Sequence, residues 1–227
     1  MDQIIEFFKH LINPSWIIEH GGLYLLLAII FAETGLFVGF FLPGDSLLFV
    51  AGIYSKELCS SFFDLPFLLI MVMVAIAGVL GNLVGFWFGK KSGPLLFKKQ
   101  DTFFFKKKHL HQAHEFFVKY GGGAIFFARF LPIIRTFAPI VAGIVEMDTK
   151  KFMVYNIIGS FAWVFSMMLG GHYLDKMYPG LKEHLEVIIL IIVLITTLPV
   201  IIKIVFGKVK NHHPSSHQQD AVEKTDS

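Results

Sequence analysis

Four ionisable side chains interrupt segments that are otherwise apolar: two acids, Glu33 and Asp45, and two bases, Arg129 and Arg135. The fork of an arginine matches a phosphate group with two parallel hydrogen bonds, and a carboxylate in such a segment can take up or release a proton. We therefore predict that Arg129 and Arg135 bind a phosphate headgroup and that Glu33 and Asp45 serve proton coupling or gating. The structural alternative is that the four side chains only form ion pairs that hold two segments together.

The segment that carries the arginines, residues 126–143, also contains Pro132 and Pro139. An arginine in the middle of a lipid-facing helix costs roughly 2.5–3.5 kcal/mol on insertion scales. A proline in addition removes a backbone donor that lipid cannot replace. A plain membrane-spanning helix would not carry two arginines, nor two prolines. The pattern predicts a broken, re-entrant element over residues 122–145 that lines a polar cavity at membrane depth.

The first half of the chain contains a similar pattern. Glu33 lies within an apolar run that breaks at Pro43-Gly44-Asp45-Ser46, and a short apolar piece follows, which predicts a second re-entrant element over residues 33–55. The tetrapeptide Val-Ala-Gly-Ile ends both elements, at residues 50–53 and 141–144. The shared order of features indicates an inverted-topology repeat, an architecture that places substrates near the midplane, where broken helices meet.

Composition fixes the class of protein. The chain has 227 residues, of which 55% are hydrophobic and only 16% charged, whereas soluble domains average about 25% charged residues. We predict an all-α integral membrane protein with two facing re-entrant hairpins and four membrane-spanning helices, at residues 22–42, 67–89, 152–174 and 185–206. The lysine-rich residues 90–120 are expected in the cytoplasm, which places both termini there as well.

The remaining segments carry no further chemistry. Residues 1–20 are expected to form an amphipathic segment at the membrane interface, residues 21–206 the membrane domain, and residues 207–227 a disordered cytoplasmic tail. The spacing of His109, His111 and His114 does not place all three on one helical face, so no metal site is expected. Motifs of hydrolases, metalloproteases and phosphate-binding loops are absent, which argues against an enzyme. No cofactor and no nucleic-acid partner are expected.

The chain resembles the DedA family, also called the SNARE-associated or VTT-domain membrane proteins, over roughly residues 20–175. The resemblance rests on Phe31-Ala32-Glu33, Phe41-Leu42-Pro43-Gly44-Asp45, the segment from Phe127-Ala128-Arg129-Phe130-Leu131-Pro132 through Arg135 to Ala142-Gly143, and Gly159-Ser160-Phe161-Ala162-Trp163. It implies a multi-pass protein of the bacterial inner (cytoplasmic) membrane. It also implies that the acidic pair of the family lies at Glu33 and Asp45 and its arginine pair at Arg129 and Arg135.

The resemblance further implies a lipid transporter of the flippase or scramblase kind, often dependent on the proton-motive force. Its substrate would be an anionic lipid, such as undecaprenyl phosphate (a polyprenyl phosphate) or a phospholipid. Two alternatives stay open: a proton-coupled transporter of small ions or drugs that uses the same acids, and a structural protein that maintains the envelope. The lipid, the direction of transport, the coupling ion and a homo-oligomeric state are not fixed by the sequence.

Overall fold

The computed structural model describes residues 14–36, 43–61, 63–98 and 122–178, together with 180, 185 and 187. Regular structure in these residues is entirely helical, which confirms the all-α prediction. The helices with defined bounds are α1 (Pro14–Gly35), α2 (Gly44–Ile53), α3 (Ser55–Ser61), α4 (Phe67–Lys98), α5 (Gly123–Ala128), α6 (Pro132–Ile144) and α7 (Thr149–Met177).

Three of the described helices are long and apolar enough to cross a membrane: Trp16–Gly35 in α1, Phe67–Gly93 in α4 and Thr149–Met177 in α7. They correspond to the first three predicted spans. The fourth predicted span lies almost wholly, and the C-terminal tail wholly, outside the described residues. The lysine-rich residues 90–120 are described only as far as Lys98, and up to there they continue α4 beyond the predicted end of the second span at residue 89.

The first span differs from its predicted bounds. It was expected over residues 22–42, but α1 begins at Pro14 and ends at Gly35. Proline is accepted in the first turn of a helix because the missing N–H would have no partner there. Gly22 then kinks the helix, with φ 51° and ψ −145°, which only glycine adopts without strain. Two helical segments therefore meet at Gly22, close to the expected boundary between residues 20 and 21.

Short helices occupy the two predicted re-entrant elements. Helices α2, α5 and α6 contain 10, 6 and 13 residues, and a crossing needs about 20. In the second element the chain leaves α5, becomes extended at Leu131 (φ −114°, ψ 107°) and restarts at Pro132, the first residue of α6. The proline therefore starts a helix here, and the break places Arg129 and Arg135 on either side of it.

The short helix α2, in the first half of the chain, crosses the long helix α7 of the second half. The backbones of the two helices approach each other closely at this crossing. A Cβ atom on Gly52 would overlap the carbonyl oxygen of Met168, and one on Gly171 would overlap the carbonyl oxygen of Phe49. Such close approach requires glycine on both helices, because any larger residue would separate the backbones. The re-entrant element of the first half is thereby attached to the span of the second half.

The second half repeats this crossing in the same register. A Cβ atom on Gly143 of α6 would overlap the carbonyl oxygen of Phe86, and one on Gly89 of α4 would overlap the carbonyl oxygen of Ile140. In each half the carbonyl on the short helix comes three residues before its Val-Ala-Gly-Ile glycine. The internal repeat is therefore a repeat of packing: each short helix packs on the long helix of the opposite half.

The described residues form three apolar clusters, of which two contain more than two residues. The larger one joins α1, α2, α4 and α7 and includes the fully buried Trp163. The smaller one joins α4, α5, α6 and α7, contains Ala128, and is anchored by the stacked rings of Phe86 and Phe152, whose centroids are 4.2 Å apart. The charged residues described next are neighbours of Trp163 and Ala128 and so border both clusters.

Candidate functional site at the broken helices

Arg135 is the residue at which the two halves of the chain meet. Its guanidinium is buried; Nη1 donates to Oδ1 of Asp45 at 2.5 Å and Nη2 donates to Oε1 of Glu33. Glu33 lies in the last turn of α1, Asp45 in the first turn of α2 and Arg135 near the start of α6. Both acids of the first half thus pair with the same arginine of the second half.

The local structure explains why three separate elements can converge here. Asp45 lies in the first turn of α2, where unpaired backbone N–H groups favour a negative charge. Glu33 lies at the opposite end of its helix, where the dipole disfavours a carboxylate, and Arg135 compensates it. A Cβ atom on Gly44 would overlap the Glu33 carboxylate. Glycine at this position is therefore what allows Glu33 to reach the site.

Trp163 of α7 completes the surroundings of Arg135. Its indole Nε1 donates to Oδ1 of Asp45 at 2.8 Å, and the Cζ atom of Arg135 lies 4.4 Å from the centroid of its ring. A guanidinium over an indole gains a cation–π attraction, which is stronger away from water. Trp163 therefore fixes both members of one ion pair.

Arg129 has a different environment. It follows α5, is only 2% exposed, and its Nη2 donates to Oδ1 of Asn156 at 2.6 Å. Asn82 faces the same guanidinium, and in one orientation of its amide Nδ2 donates to Oδ1 of Asn156 at 2.9 Å. In the opposite orientation its oxygen points to Arg129 and its nitrogen donates to the carbonyl oxygen of Thr34 at 3.1 Å. Among the described residues no carboxylate forms an ion pair with Arg129.

The four charged residues that the sequence singles out lie near one another in the structure, but the sequence analysis assigns no role to Asn82, Asn156 or Trp163. Each of the three is buried within an otherwise apolar span, in α4 or α7. Buried amide and indole groups require a hydrogen-bond partner. That requirement is the signal that could have identified them, although it does not say which partner each would find.

The four predicted residues form one continuous buried site. Asn82 links Arg129 to Thr34, which directly follows Glu33 in α1. Three buried atoms of the site, Oε2 of Glu33 and the Nε atoms of Arg129 and Arg135, make no hydrogen bond to any described residue. Because buried polar groups are ordinarily paired, these two N–H donors and this acceptor call for a polar partner other than the described residues.

Within the described part of the chain, no group of three or more histidine, cysteine, aspartate or glutamate side chains could hold a metal ion. His109, His111 and His114 lie outside that part. His172 is paired with Ser55, whose Oγ is 2.8 Å from its Nδ1, and its ring stacks on Phe67.

Comparison with known proteins identifies the family. The VTT domain matches residues 42–173, more than half of the chain. The protein DedA of Escherichia coli K12 is 35% identical over 209 residues, which cover 90% of this chain and 94% of DedA. The uncharacterized membrane protein Rv0364 of Mycobacterium tuberculosis H37Rv is 39% identical over 180 residues, covering 78% and 76% of the two chains.

A third relative is more distant. The inner membrane protein YqjA of Escherichia coli K12 is 32% identical over 171 residues, covering 74% of each chain. No solved structure gives a significant match. The matched domain includes Asp45, both arginines, Asn82, Asn156 and Trp163, so the site lies within the shared region except for Glu33. The chain therefore belongs to the DedA family of VTT-domain membrane proteins.

Proposed function

We propose that this protein is a transporter of the bacterial inner membrane that moves an anionic lipid, a polyprenyl phosphate or a phospholipid, between the leaflets. The observation that carries the proposal is the buried guanidinium of Arg129, which contacts neutral amides and forms no ion pair within the described part of the chain. A positive charge kept at membrane depth without an ion-pair partner is a receptor for an anion. Intramembrane charges are functional by default because burying them is expensive.

Phosphate is the anion that best suits the site. A guanidinium binds a phosphate group through two parallel N–H···O bonds, and two guanidinium groups are present in one buried centre. The headgroup would pass between the broken helices while the acyl chains remain in the lipid. The membrane location is supported by the relative named an inner membrane protein and by three described helices that are long enough to span.

The acids supply a means of coupling. Glu33 and Asp45 balance the two arginines, so the four formal charges sum to zero. An anion that enters adds one negative charge in a setting where net charge is costly. A proton taken up by one carboxylate restores neutrality and weakens its hold on Arg135, which can then contact the headgroup. Protons are the coupling ion in this proposal, and catalysis, cofactors and nucleic acid have no part in it.

The experiment is lipid translocation by the purified protein in vesicles, with labelled undecaprenyl phosphate and labelled phosphatidylethanolamine in parallel. We expect the wild-type protein to move the phosphate lipid and Arg129→Gln to do so at least tenfold more slowly. Lys150→Gln, which removes an exposed positive charge on α7, is the matched control and is expected to behave as wild type. Wild-type vesicles that translocate no faster than protein-free vesicles would refute the proposal.

A proton-coupled transporter of small ions or drugs is the second candidate. It is favoured by the enclosure of the site, since Glu33, Arg129 and Arg135 are each at most 3% exposed. This candidate predicts solute flux in the same vesicles without movement of either lipid. A purely structural role predicts that Arg135→Lys preserves function, whereas a phosphate-binding fork tolerates lysine poorly.

A further inference from the structure

The two arginines of the site have partners of opposite kind. Both terminal nitrogens of Arg135 donate to carboxylates, and Trp163 covers its ring face. Arg129 instead donates to the amide oxygen of Asn156 and faces the amide of Asn82, and its Nε makes no hydrogen bond to a described residue. Amides satisfy the hydrogen bonds of a guanidinium but leave its charge in place, whereas a carboxylate would satisfy both.

Asn156 joins the guanidinium of Arg129 to the backbone of α4. Its side chain is fully buried; Oδ1 accepts from Arg129 at 2.6 Å, and Nδ2 donates to the carbonyl oxygen of Val79 at 3.1 Å. Both ends of the amide are therefore used, and a rotation of the side chain would break both hydrogen bonds. Asn156 thus fixes the position of Arg129 relative to the backbone of α4.

We propose that Asn156, together with Asn82, is a positioning residue that keeps Arg129 in place without cancelling its charge, so that Arg129 and not Arg135 is the first to receive the anionic headgroup. This inference rests on the proposed function and adds an order of events to it. To reach Arg135, a phosphate must displace two carboxylates, that of Glu33 on α1 and that of Asp45 on α2. At Arg129 it displaces at most neutral amides, and the unused Nε is an additional donor.

The test is the substitution Asn156→Asp. Aspartate has the same shape, keeps an oxygen toward Arg129 and places a negative charge beside it. A merely structural role of Asn156 predicts that a folded Asn156→Asp protein binds anionic lipid as the wild type does. The proposal predicts that the new carboxylate occupies Arg129 and weakens anion binding at least tenfold. Asn82→Asp is the second variant, because its carboxylate would face the same guanidinium from α4.

Binding is measured with the full-length protein in detergent, using mixed micelles that contain phosphatidic acid or, for comparison, phosphatidylcholine. Thermal unfolding of each variant shows whether it is folded. We expect wild type to prefer phosphatidic acid, and both aspartate variants and Arg129→Gln to lose that preference. In the Arg129→Gln background, Asn156→Asp is expected to cause no further loss, because Asn156 acts through Arg129.

Two results would overturn the inference alone. One is a folded Asn156→Asp or Asn82→Asp protein with wild-type preference for phosphatidic acid, and the other is a further loss when Asn156→Asp is added to Arg129→Gln. A wild-type protein that binds phosphatidic acid and phosphatidylcholine equally would overturn the proposed function, and this inference with it. The two failures are therefore distinguishable.

Discussion

The two halves of the molecule have the same helix crossings but different chemistry at the centre. Gly52 and Gly143 bring the short helices to the backbones of the opposite long helices in one shared register. Eight residues before these glycines, the first half has Gly44 and the second has Arg135. Gly44 makes room for the Glu33 carboxylate, and Arg135 binds that carboxylate. A symmetric frame of backbone contacts therefore supports a site that is asymmetric in charge.

The largest expected effect comes from removing the charge on which both halves depend. Arg135→Gln leaves two buried carboxylates without their cation, and breaking a buried ion pair in this way typically costs about 3–5 kcal/mol. Arg129→Gln removes a partner of neutral amides only and is expected to cost roughly 1–3 kcal/mol. Thermal unfolding of both variants in the same detergent measures the difference. Equal losses would show that the two arginines are structurally equivalent.

The glycine crossings are expected to respond equally in the two halves. Gly52→Ala and Gly143→Ala each force a Cβ atom against a helix backbone, and such overpacking typically costs about 1–3 kcal/mol. Gly123→Ala is the matched control, because a Cβ atom at Gly123 meets nothing within 4 Å. Unfolding temperatures of the three variants make the comparison. A loss in only one half would contradict the equivalence of the crossings.

Trp163 has no counterpart in the first half, where the residue in the same register of α4 is Gly81. Trp163→Phe retains a ring beneath Arg135 but loses the N–H donor to Asp45. We expect the free energy of unfolding to fall by roughly 1.5–3 kcal/mol, the usual range for a hydrogen bond to a charged group. Trp87→Phe, at an exposed position of α4, is the control and is expected to leave stability unchanged.

The smallest expected effect concerns a tether, the hydrogen bond between Ser55 and His172, which lies beside the crossing of α2 and α7. Ser55 hydrogen-bonds His172 just beyond Gly52 and Gly171. Interhelical hydrogen bonds in membrane proteins contribute about 0.6 kcal/mol on average, so Ser55→Ala is expected to lower the unfolding temperature only slightly. Ser60→Ala, on the exposed side of α3, provides the baseline. A loss as large as that of Gly52→Ala would mean that the tether, and not the glycine contact, holds the first crossing together.

Much of the fold could be predicted because charges and prolines within an apolar segment carry a large free-energy cost that can be read from the sequence. Both are expensive in a membrane, so Arg129 and Pro132 indicate a broken element from the sequence alone. The bounds of α1 could not be predicted from hydropathy, because a helical segment that begins at Pro14 joins the apolar run at the kink of Gly22. The fourth span cannot be compared, since it lies almost wholly outside the described residues.

The site was predictable in its charged members and not in its neutral ones. Which acid pairs with which arginine depends on how closely α1 approaches α2 at Gly44, and this is a property of tertiary packing. Asn82 and Asn156 carry no charge, and a single asparagine does little to the hydropathy of a long span. Their importance becomes visible only when Arg129 is found beside them.

The position of Arg135 has a consequence for the way the site can change shape. One side chain on α6 holds the end of α1 and the start of α2 at the same time. A displacement of α6 away from both helix ends would have to break both ion pairs, so this one side chain links α6 to α1 and to α2. The buried centre is therefore closed by a single cation that belongs to one half of the chain, while both of its anions belong to the other half.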